Sequence, residues 1–557
     1  MKNPPSAPPP APWRNPALGL GALLLATHLG LGLGFIRSAG PTYDEAIHLA
    51  SGYSYLKTGR YRLNIMDHPP LAEMWAALPL LPLSPNLFLA HPDWLGGRLY
   101  HYSDLFLYKN NVPAKRLLER ARAFNLFTWS TLAAALLFAW AWSAAGPAAA
   151  AGAALAHAFS PALLANLSLV TTDGASAVLF LAAFASGAAA TRRDDDARPS
   201  RGFWTAAGLA VGLAMGAKFN MIALPPLIFA LAVAPALLAR RPPSRGVWWM
   251  LGAAVLALAA VYRFSQLPLW WQGLSATLSR LEEGRSSFFF GRYSVTGFLA
   301  YFPVALAIKT PLPTLLLALA GLASLTRQPW RRGVWLWLPA ALYFAAALAT
   351  RVQIGYRHVL PVVPFLLLWA GLGAAWLWER GRAGRGLLAV LAAWLVVSVA
   401  RAQPHQLAYF NEAAGGPERG YERLVDSNLD WGQAIEQLGE ELGRRGRPPI
   451  YFAYFGTADP EAYGIRYLPA GFISNVTRLG NETDPSASGR VLLAISATNL
   501  QGTYYRDKQA FAWLRARKPV FVAGHSIFLY DLTQDGEGRR ALALLLPPEA
   551  ARPLLAR

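Results

Sequence analysis

The stretch that decides the reading is Pro16–Arg37, PALGLGALLLATHLGLGLGFIR, followed at once by Pro41-Thr42-Tyr43-Asp44-Glu45 and, after one more helical run, by Met66-Asp67-His68-Pro69-Pro70-Leu71. An apolar run of that length is enough to cross a bilayer. It has no convincing small-residue cleavage site, and an acidic pair follows directly, so it reads as a retained anchor with chemistry at its exit.

The rest of the chain keeps re-entering the same apolar pattern. Of 557 residues, 54% are hydrophobic, 15% are charged and 20 are Trp, with a mean hydropathy of +0.28. That composition is too apolar for a soluble protein and too interrupted for one core. Runs of roughly 17–25 apolar residues number about eleven, near 16–37, 122–145, 148–166, 174–190, 203–218, 220–239, 247–264, 298–322, 334–350, 359–378 and 386–402. The expected fold is therefore a polytopic α-helical membrane protein. The formal charge of +20 is scattered in short clusters, without zinc-finger spacing or an RNA-binding fingerprint, so anionic lipid head groups explain it and nucleic acid is not an expected partner. With no cysteine, disulfides, thiolate metal sites and a Cys nucleophile are excluded.

Arginine clusters fall in alternate loops: Arg192, Arg193, Arg198 and Arg201; Arg240, Arg241 and Arg245; Arg327, Arg331 and Arg332; Arg380, Arg382 and Arg385. The positive-inside rule makes these loops cytoplasmic. The long loop 38–121, the turns near Asp173, Lys218 and Arg351–Arg357, the loop 265–297 and everything after about 403 are then external. The Pro/Ala tract at 4–12 is low-complexity and expected to be disordered, so 1–15 is set apart from the membrane region 16–402. Residues 403–557 read as a soluble α/β domain, with strand-like runs at Ile450–Phe455, Val491–Ile495 and Val520–Tyr530 and helical patterns near 429–444 and 507–516. Asn475-Val-Thr477 and Asn481-Glu-Thr483 match the short N-glycosylation pattern.

In the first loop, Thr42-Tyr-Asp-Glu45 fits a capping box, with Glu45 reaching back to the Thr42 N–H. Asp44 is free of that duty and shares a helix face with His48, so it reads either as a catalytic carboxylate or as a solvated first-turn acid. Asp67 either caps a helix starting at the prolines or takes a direct part with His68, and Leu71, Met74, Trp75 and Leu78 form a stripe suited to a bilayer surface. Asp173 is functional or caps the next span. Arg122, Lys218, Arg292, Lys309, Arg351, Arg357 and His358 recur at outer boundaries, where each one alone could simply snorkel. Together, several cations and one or two carboxylates suit a phosphate-bearing substrate and an acceptor that must lose a proton. Asp430 in Leu429-Asp-Trp-Gly432 reads as a helix entry.

These residues resemble a known family. Asp44-Glu45, His68-Pro-Pro-Leu71, Arg122, Thr172-Asp173 and Gly212-Leu-Ala-Met-Gly-Ala-Lys218 are similar to motifs of the protein O-mannosyltransferase and aminoarabinose-transferase superfamily, the GT-C membrane glycosyltransferases of family 39 and their bacterial relatives. Tyr301-Phe-Pro303, Ile308-Lys-Thr-Pro311, Gly355-Tyr-Arg-His-Val-Leu-Pro361, Tyr409-Phe-Asn-Glu412 and Asp426-Ser-Asn-Leu-Asp-Trp-Gly-Gln433 resemble a bacterial branch of it. The resemblance implies a GT-C fold and transfer of a hexosyl or pentosyl group, mannosyl included, from a polyprenyl-phosphate sugar to a protein or lipid/glycan acceptor outside the cytoplasmic membrane. It implies Asp44 as base, with Glu45 supporting it and Asp173 alongside. It makes Arg122 and Lys218 the first candidates for the donor phosphate, with Asp67, His68, Arg292, Lys309, Arg357 and His358 as further substrate contacts. Metal use stays open, since some members bind a divalent ion near these acids and others do not. A multi-span transporter and an envelope-assembly protein for lipid-linked saccharides are the alternatives.

Overall fold

The structure, a computed structural model, describes residues 15–555 except 239, 241, 328, 329, 472–484 and 486–488. The Pro/Ala tract, Arg241 and both glycosylation patterns lie outside the described residues, as do the side chains of Arg327, Arg331 and Arg332. The helices that position the site are α1 (Pro16–Ser38), α2 (Glu45–Thr58), α3 (Leu71–Ala77), α4 (Ala114–Ala158), α5 (Thr172–Asp195), α6 (Arg201–Ala217), α7 (Tyr301–Lys309), α8 (Leu312–Ser324), α9 (Val363–Trp378) and α10 (Gly381–Arg401).

Among the described residues, six helices are long and apolar enough to cross a membrane, or seven if α7 and α8 make one span. That is fewer than the eleven apolar runs, for three physical reasons. The runs at 122–145 and 148–166 continue through α4, which breaks at Ala145 and at Gly146 (φ +77°) ahead of Pro147, where glycine's missing Cβ permits the turn. The run at 298–322 is bent by 113° between α7 and α8, at Thr310-Pro311. Helices α6, Gly246–Val261 and Gly333–Leu348 are short, and at 1.5 Å per residue a 16-residue helix such as Gly246–Val261 reaches about 24 Å.

Tyr356–Trp378 is the most buried of the spans and forms the centre, packed on α4 and α8. Small residues make those crossings close. A Cβ on Gly373 would meet the Leu317 carbonyl at 1.9 Å, and one on Gly152 would meet the Ala374 Cβ at 2.4 Å. Backbones can approach this far only where side chains are absent, which is the common device of helix packing in lipid. In the first loop, α3 and its stripe do not lie free. Trp75 donates to Thr128 Oγ1 at 3.1 Å and packs against the rings of Phe124 and Trp129.

The C-terminal region holds a mixed sheet. After a short hairpin, β1 (Ser287–Phe289) and β2 (Arg292–Ser294), in the loop before α7, the sheet strands are β3 (Ile450–Ala453), β4 (Tyr467–Pro469), β5 (Leu492–Ser496), β6 (Phe521–Ala523) and β7 (Ile527–Asp531). Among the described residues their order is β4-β3-β5-β7-β6, with β3 parallel to β4 and β5, and β7 antiparallel to β5 and β6. The single apolar run at Val520–Tyr530 is thus a hairpin. The helix expected near 429 begins only at Ile435, and the pattern at 507–516 yields just Ala512–Arg515, the rest being turns. Residues 426–434 are instead buried, a short 3₁₀ helix at Asp426–Asn428 followed by irregular backbone, and tie the region to the bundle. Gly40 and Tyr43 donate to the Gln433 and Trp431 carbonyls, both at 2.8 Å, and Lys309 Nζ donates to the carbonyls of Leu407 at 2.9 Å and Asn428 at 2.5 Å.

Candidate active site

The acidic pair splits into two settings one residue apart. Glu45, in the first turn of α2, is fully buried. Arg122 of α4 grips it from Nε at 2.8 Å and Nη2 at 2.5 Å, and Glu45 also accepts from the backbone N–H groups of Thr42 (2.8 Å) and Val170 (3.0 Å). The reach back to Thr42 expected of a capping box is present, while the buried Thr42 hydroxyl has no partner among the described residues and caps nothing. Burial alone would raise the Glu45 carboxyl, but the guanidinium and the two N–H donors more than offset it and hold it below the usual range.

Arg122 therefore does not stand open to a phosphate. Nη1 donates to the Ala39 carbonyl at 2.6 Å and Nη2 to that of Gly40 at 2.8 Å, so every nitrogen is engaged within the protein and the side chain is 1% exposed. Lys309 departs from expectation in the same way, since its ammonium is buried between two carbonyls and over the Phe410 ring. Arg292 is exposed on β2, and its side chain makes no hydrogen bond or ion pair among the described residues. Asp67 pairs with Arg280 at the surface and does not cap α3, whose N-cap position is Pro70.

Asp44 faces the other way. It sits at the N-cap position of α2 without a side-chain capping bond, is 24% exposed, and accepts from Arg357 Nη1 at 3.1 Å. The same nitrogen lies 3.3 Å from Asp173, and Lys218, which follows the last residue of α6, pairs with the other Asp173 oxygen. Asp173 occupies the first turn of α5, where the helix dipole favours a carboxylate. Arg357 lies in the tight turn that starts the central span. Four groups that the sequence flagged separately, Asp44, Asp173, Lys218 and Arg357, thus converge from the first loop and three helices.

Arg357 is held from the C-terminal side. Its Nε donates to Ser427 Oγ at 3.1 Å and its guanidinium stacks 4.1 Å from the Trp431 ring centroid. Ser427 comes this close because residue 355 is glycine, where a Cβ would meet Ser427 Oγ at 2.0 Å. Asp426 lies beside, bonded to the Tyr504 hydroxyl, with Arg285 stacked 4.8 Å from the Tyr504 ring. The stretch 426–433 is therefore part of the site wall. Asp430, expected at a helix entry, instead accepts from the Thr498 N–H at 2.8 Å, its other oxygen buried and without a partner among the described residues, and burial pushes its carboxyl up to about 7.

Behind Asp44 stands a pair that the sequence reading did not single out. His48 Nδ1 is 2.8 Å from Glu73 Oε1, which also accepts from Asn64 Nδ2 at 2.6 Å. The approach of α3 to α2 depends on Gly52, whose Cβ would meet the Glu73 carbonyl at 2.0 Å. Burial pushes the Glu73 carboxyl up. Burial opposes a charged His48, but the Glu73 hydrogen bond and charge outweigh it and raise the imidazole, so this pair holds a proton tightly. His68 packs edge-on to His48 at 4.9 Å, and burial, with His48 and Lys218 nearby, keeps it neutral well below the usual imidazole range. The signal for Glu73 was a lone acid inside the apolar run Leu71–Leu78. His358 completes the cluster, with a buried Nε2 that has no partner among the described residues.

Among the described residues no group of three or more His, Asp or Glu side chains is placed to hold a metal ion, and no step is assigned to one. The arrangement offers a partly open carboxylate, two cations locked onto a second carboxylate, and a neutral imidazole. It can accept a proton and hold an anion side by side.

No family model and no curated protein matches the sequence. Among solved structures the chain is similar to ArnT from Cupriavidus metallidurans bound to undecaprenyl phosphate, at 14% identity over 92% of this chain and 98% of that one, with a TM-score of 0.49. The same protein in its apo state matches at 16% identity over 93% and 98%, with a TM-score of 0.48. The apo oligosaccharyltransferase of Archaeoglobus fulgidus matches at 13% identity over 68% of this chain and 54% of that one, with a TM-score of 0.44.

Proposed function

We propose that the chain is a membrane glycosyltransferase of GT-C type that moves a sugar from a polyprenyl-phosphate carrier to an acceptor at the external face of the membrane. The observation that carries this reading is the sharing of Arg357 between Asp44 and Asp173, with Lys218 on the far side of Asp173. A polyprenyl chain stays in the bilayer while its phosphate sits at the interface, which is where the ends of α5, α6 and the central span bring these groups. The alternating arginine loops support an external site, because the clusters at 192–201 and 380–385 lie at the ends of α5 and the central span remote from Asp173 and Arg357.

In the proposed step the acceptor attacks the anomeric carbon as the bond to the phosphate oxygen breaks. The polyprenyl phosphate leaves with the electron pair, the acceptor proton passes to Asp44, and the anomeric centre inverts. Lys218 and Arg357 meet the phosphate, with His358 Nε2 as a further contact. Asp173 holds both cations in place before the donor arrives, which is the preorganisation that electrostatic catalysis requires. Glu45 and Arg122 act only by fixing the loop from which Asp44 projects.

A transporter reading draws on one feature, the 113° bend between α7 and α8, since broken helices line many transport sites. Purified protein in detergent separates the readings. Turnover with a polyprenyl-phosphate sugar, lowered roughly 10²–10⁴-fold by Asp44→Asn, is expected. Efficient turnover with a nucleotide sugar and none with the lipid donor would refute the donor assignment, and substrate movement only across sealed vesicles would favour transport.

A further inference from the structure

The opposite end of the bundle carries a second recess that the transfer reaction does not use. Asp173 lies in the first turn of α5 and Arg192 and Arg193 in its last, so at 1.5 Å per residue the two ends stand about 30 Å apart, the thickness of the bilayer hydrocarbon. At the arginine end a cleft of about 440 Å³ opens between α4, α5 and the helix Trp330–Leu348. Its walls are apolar. Trp140 and Trp335 line it, and the α5 side is kept shallow by alanines, Ala188 among them, where larger side chains would fill the space.

The rim is cationic. Among the described residues, Arg192, Arg193 and Arg198 border it together with Asp196. Arg192 is drawn over the cleft by donating to the Ser143 carbonyl at 3.2 Å, and Arg193 is steadied by the Pro199 carbonyl at 3.3 Å and the Phe203 ring at 4.7 Å. Asp194 is turned away to Ser200 and to Trp204 Nε1, the latter at 2.9 Å. Arg198 has no side-chain partner among the described residues.

An apolar slot between three helices, below three guanidinium groups, is complementary to an acyl chain below a phosphate. A soluble anion would gain nothing from the alanine and tryptophan walls, whereas an acyl chain packs against them. We propose that this cleft binds an anionic phospholipid, with one acyl chain against Trp140 and Trp335 and the head-group phosphate on Arg192 and Arg198. The site is separate from the donor site and does not depend on the transferase reading.

Native mass spectrometry of the purified full chain, titrated with phosphatidylglycerol and with phosphatidylcholine of the same acyl chains, tests it. Phosphatidylglycerol should bind about tenfold more tightly, and Arg192→Ala with Arg198→Ala should erase that preference. Ala188→Phe, which fills the slot without touching charge, should weaken both lipids. Arg201→Ala should change neither, because that guanidinium stacks on Trp249 at 3.5 Å and does not line the cleft. Equal binding of the two lipids, an unchanged preference in the double arginine variant, or release of phosphatidylglycerol by millimolar inorganic phosphate would each overturn the proposal. Thermal stability of each variant is read in parallel, and the arginine double variant, altering only the rim, carries the test if Ala188→Phe does not fold.

Discussion

Asp44 and Glu45 are neighbours in sequence and opposites in setting. Glu45 is sealed, with both oxygens bonded to Arg122 and to backbone N–H groups, whereas Asp44 is partly open and shares one guanidinium nitrogen with Asp173. An ion pair that satisfies all its partners internally has nothing left to offer a substrate. One that leaves an oxygen exposed can still accept a proton. The same contrast divides the cations, since Arg122 and Lys309 are spent inside the protein while Lys218 and Arg357 reach the side where Asp44 opens.

The comparison is easiest to break at Arg122. Removing one partner of a buried pair strands the other, so Arg122→Ala should cost about 3–5 kcal/mol of stability, seen as a lower melting temperature, while the protein that stays folded keeps its dependence on donor concentration. A loss confined to donor affinity at unchanged stability would move Arg122 into the substrate site. Next in size is Lys218→Ala. Loss of one charge-assisted contact to phosphate is worth on the order of 1.5–3 kcal/mol, so donor use should weaken about tenfold or more, with Asp173 still held by Arg357. Arg357→Lys sharpens the point, because one ammonium cannot serve Asp44, Asp173 and Ser427 together, and turnover should fall with little change in stability.

Much of the cluster was legible before any geometry. Asp44, Asp173, Lys218 and Arg357 each stood at a span boundary, where a single charge can simply snorkel or cap a helix but several together suit a substrate. Their pairing was not legible, because Arg357 and Asp44 are 313 residues apart and local pattern carries no such distance. Hydropathy likewise adds up across Thr310-Pro311 while the backbone turns by 113°, so a bent pair reads as one span. His48 was read only as sharing a face with Asp44, and its pairing with Glu73 was missed for a related reason. Each looks like an isolated polar residue on its own helix, and only the contact allowed by Gly52 makes them a pair. Trp431 was read within a helical pattern near 429–444 and Ser427 only as part of a motif of family resemblance, but hydrogen bonds to Tyr43 and Thr498 keep that stretch out of the helix and turn it toward Arg357.

A further expected effect, read in stability alone, concerns Asp430. Its carboxyl is raised from 3.8 to about 7 by burial, so the folded state binds the proton more tightly than the unfolded chain. The contribution is therefore fully present below the unfolded value and is lost as pH rises toward 7. Asp430→Asn should flatten the fall of melting temperature between about pH 4 and 7. An unchanged slope would place the titrating group elsewhere.

The central claim, that one acid of the pair reacts and the other holds, is tested most directly by measuring initial rate with a polyprenyl-phosphate sugar and melting temperature on the same preparations of Asp44→Asn and Glu45→Gln. The account predicts that Asp44→Asn loses rate at nearly unchanged melting temperature, while Glu45→Gln loses stability and keeps most of its rate when folded. A well-folded Asp44→Asn protein with near-normal turnover would contradict it.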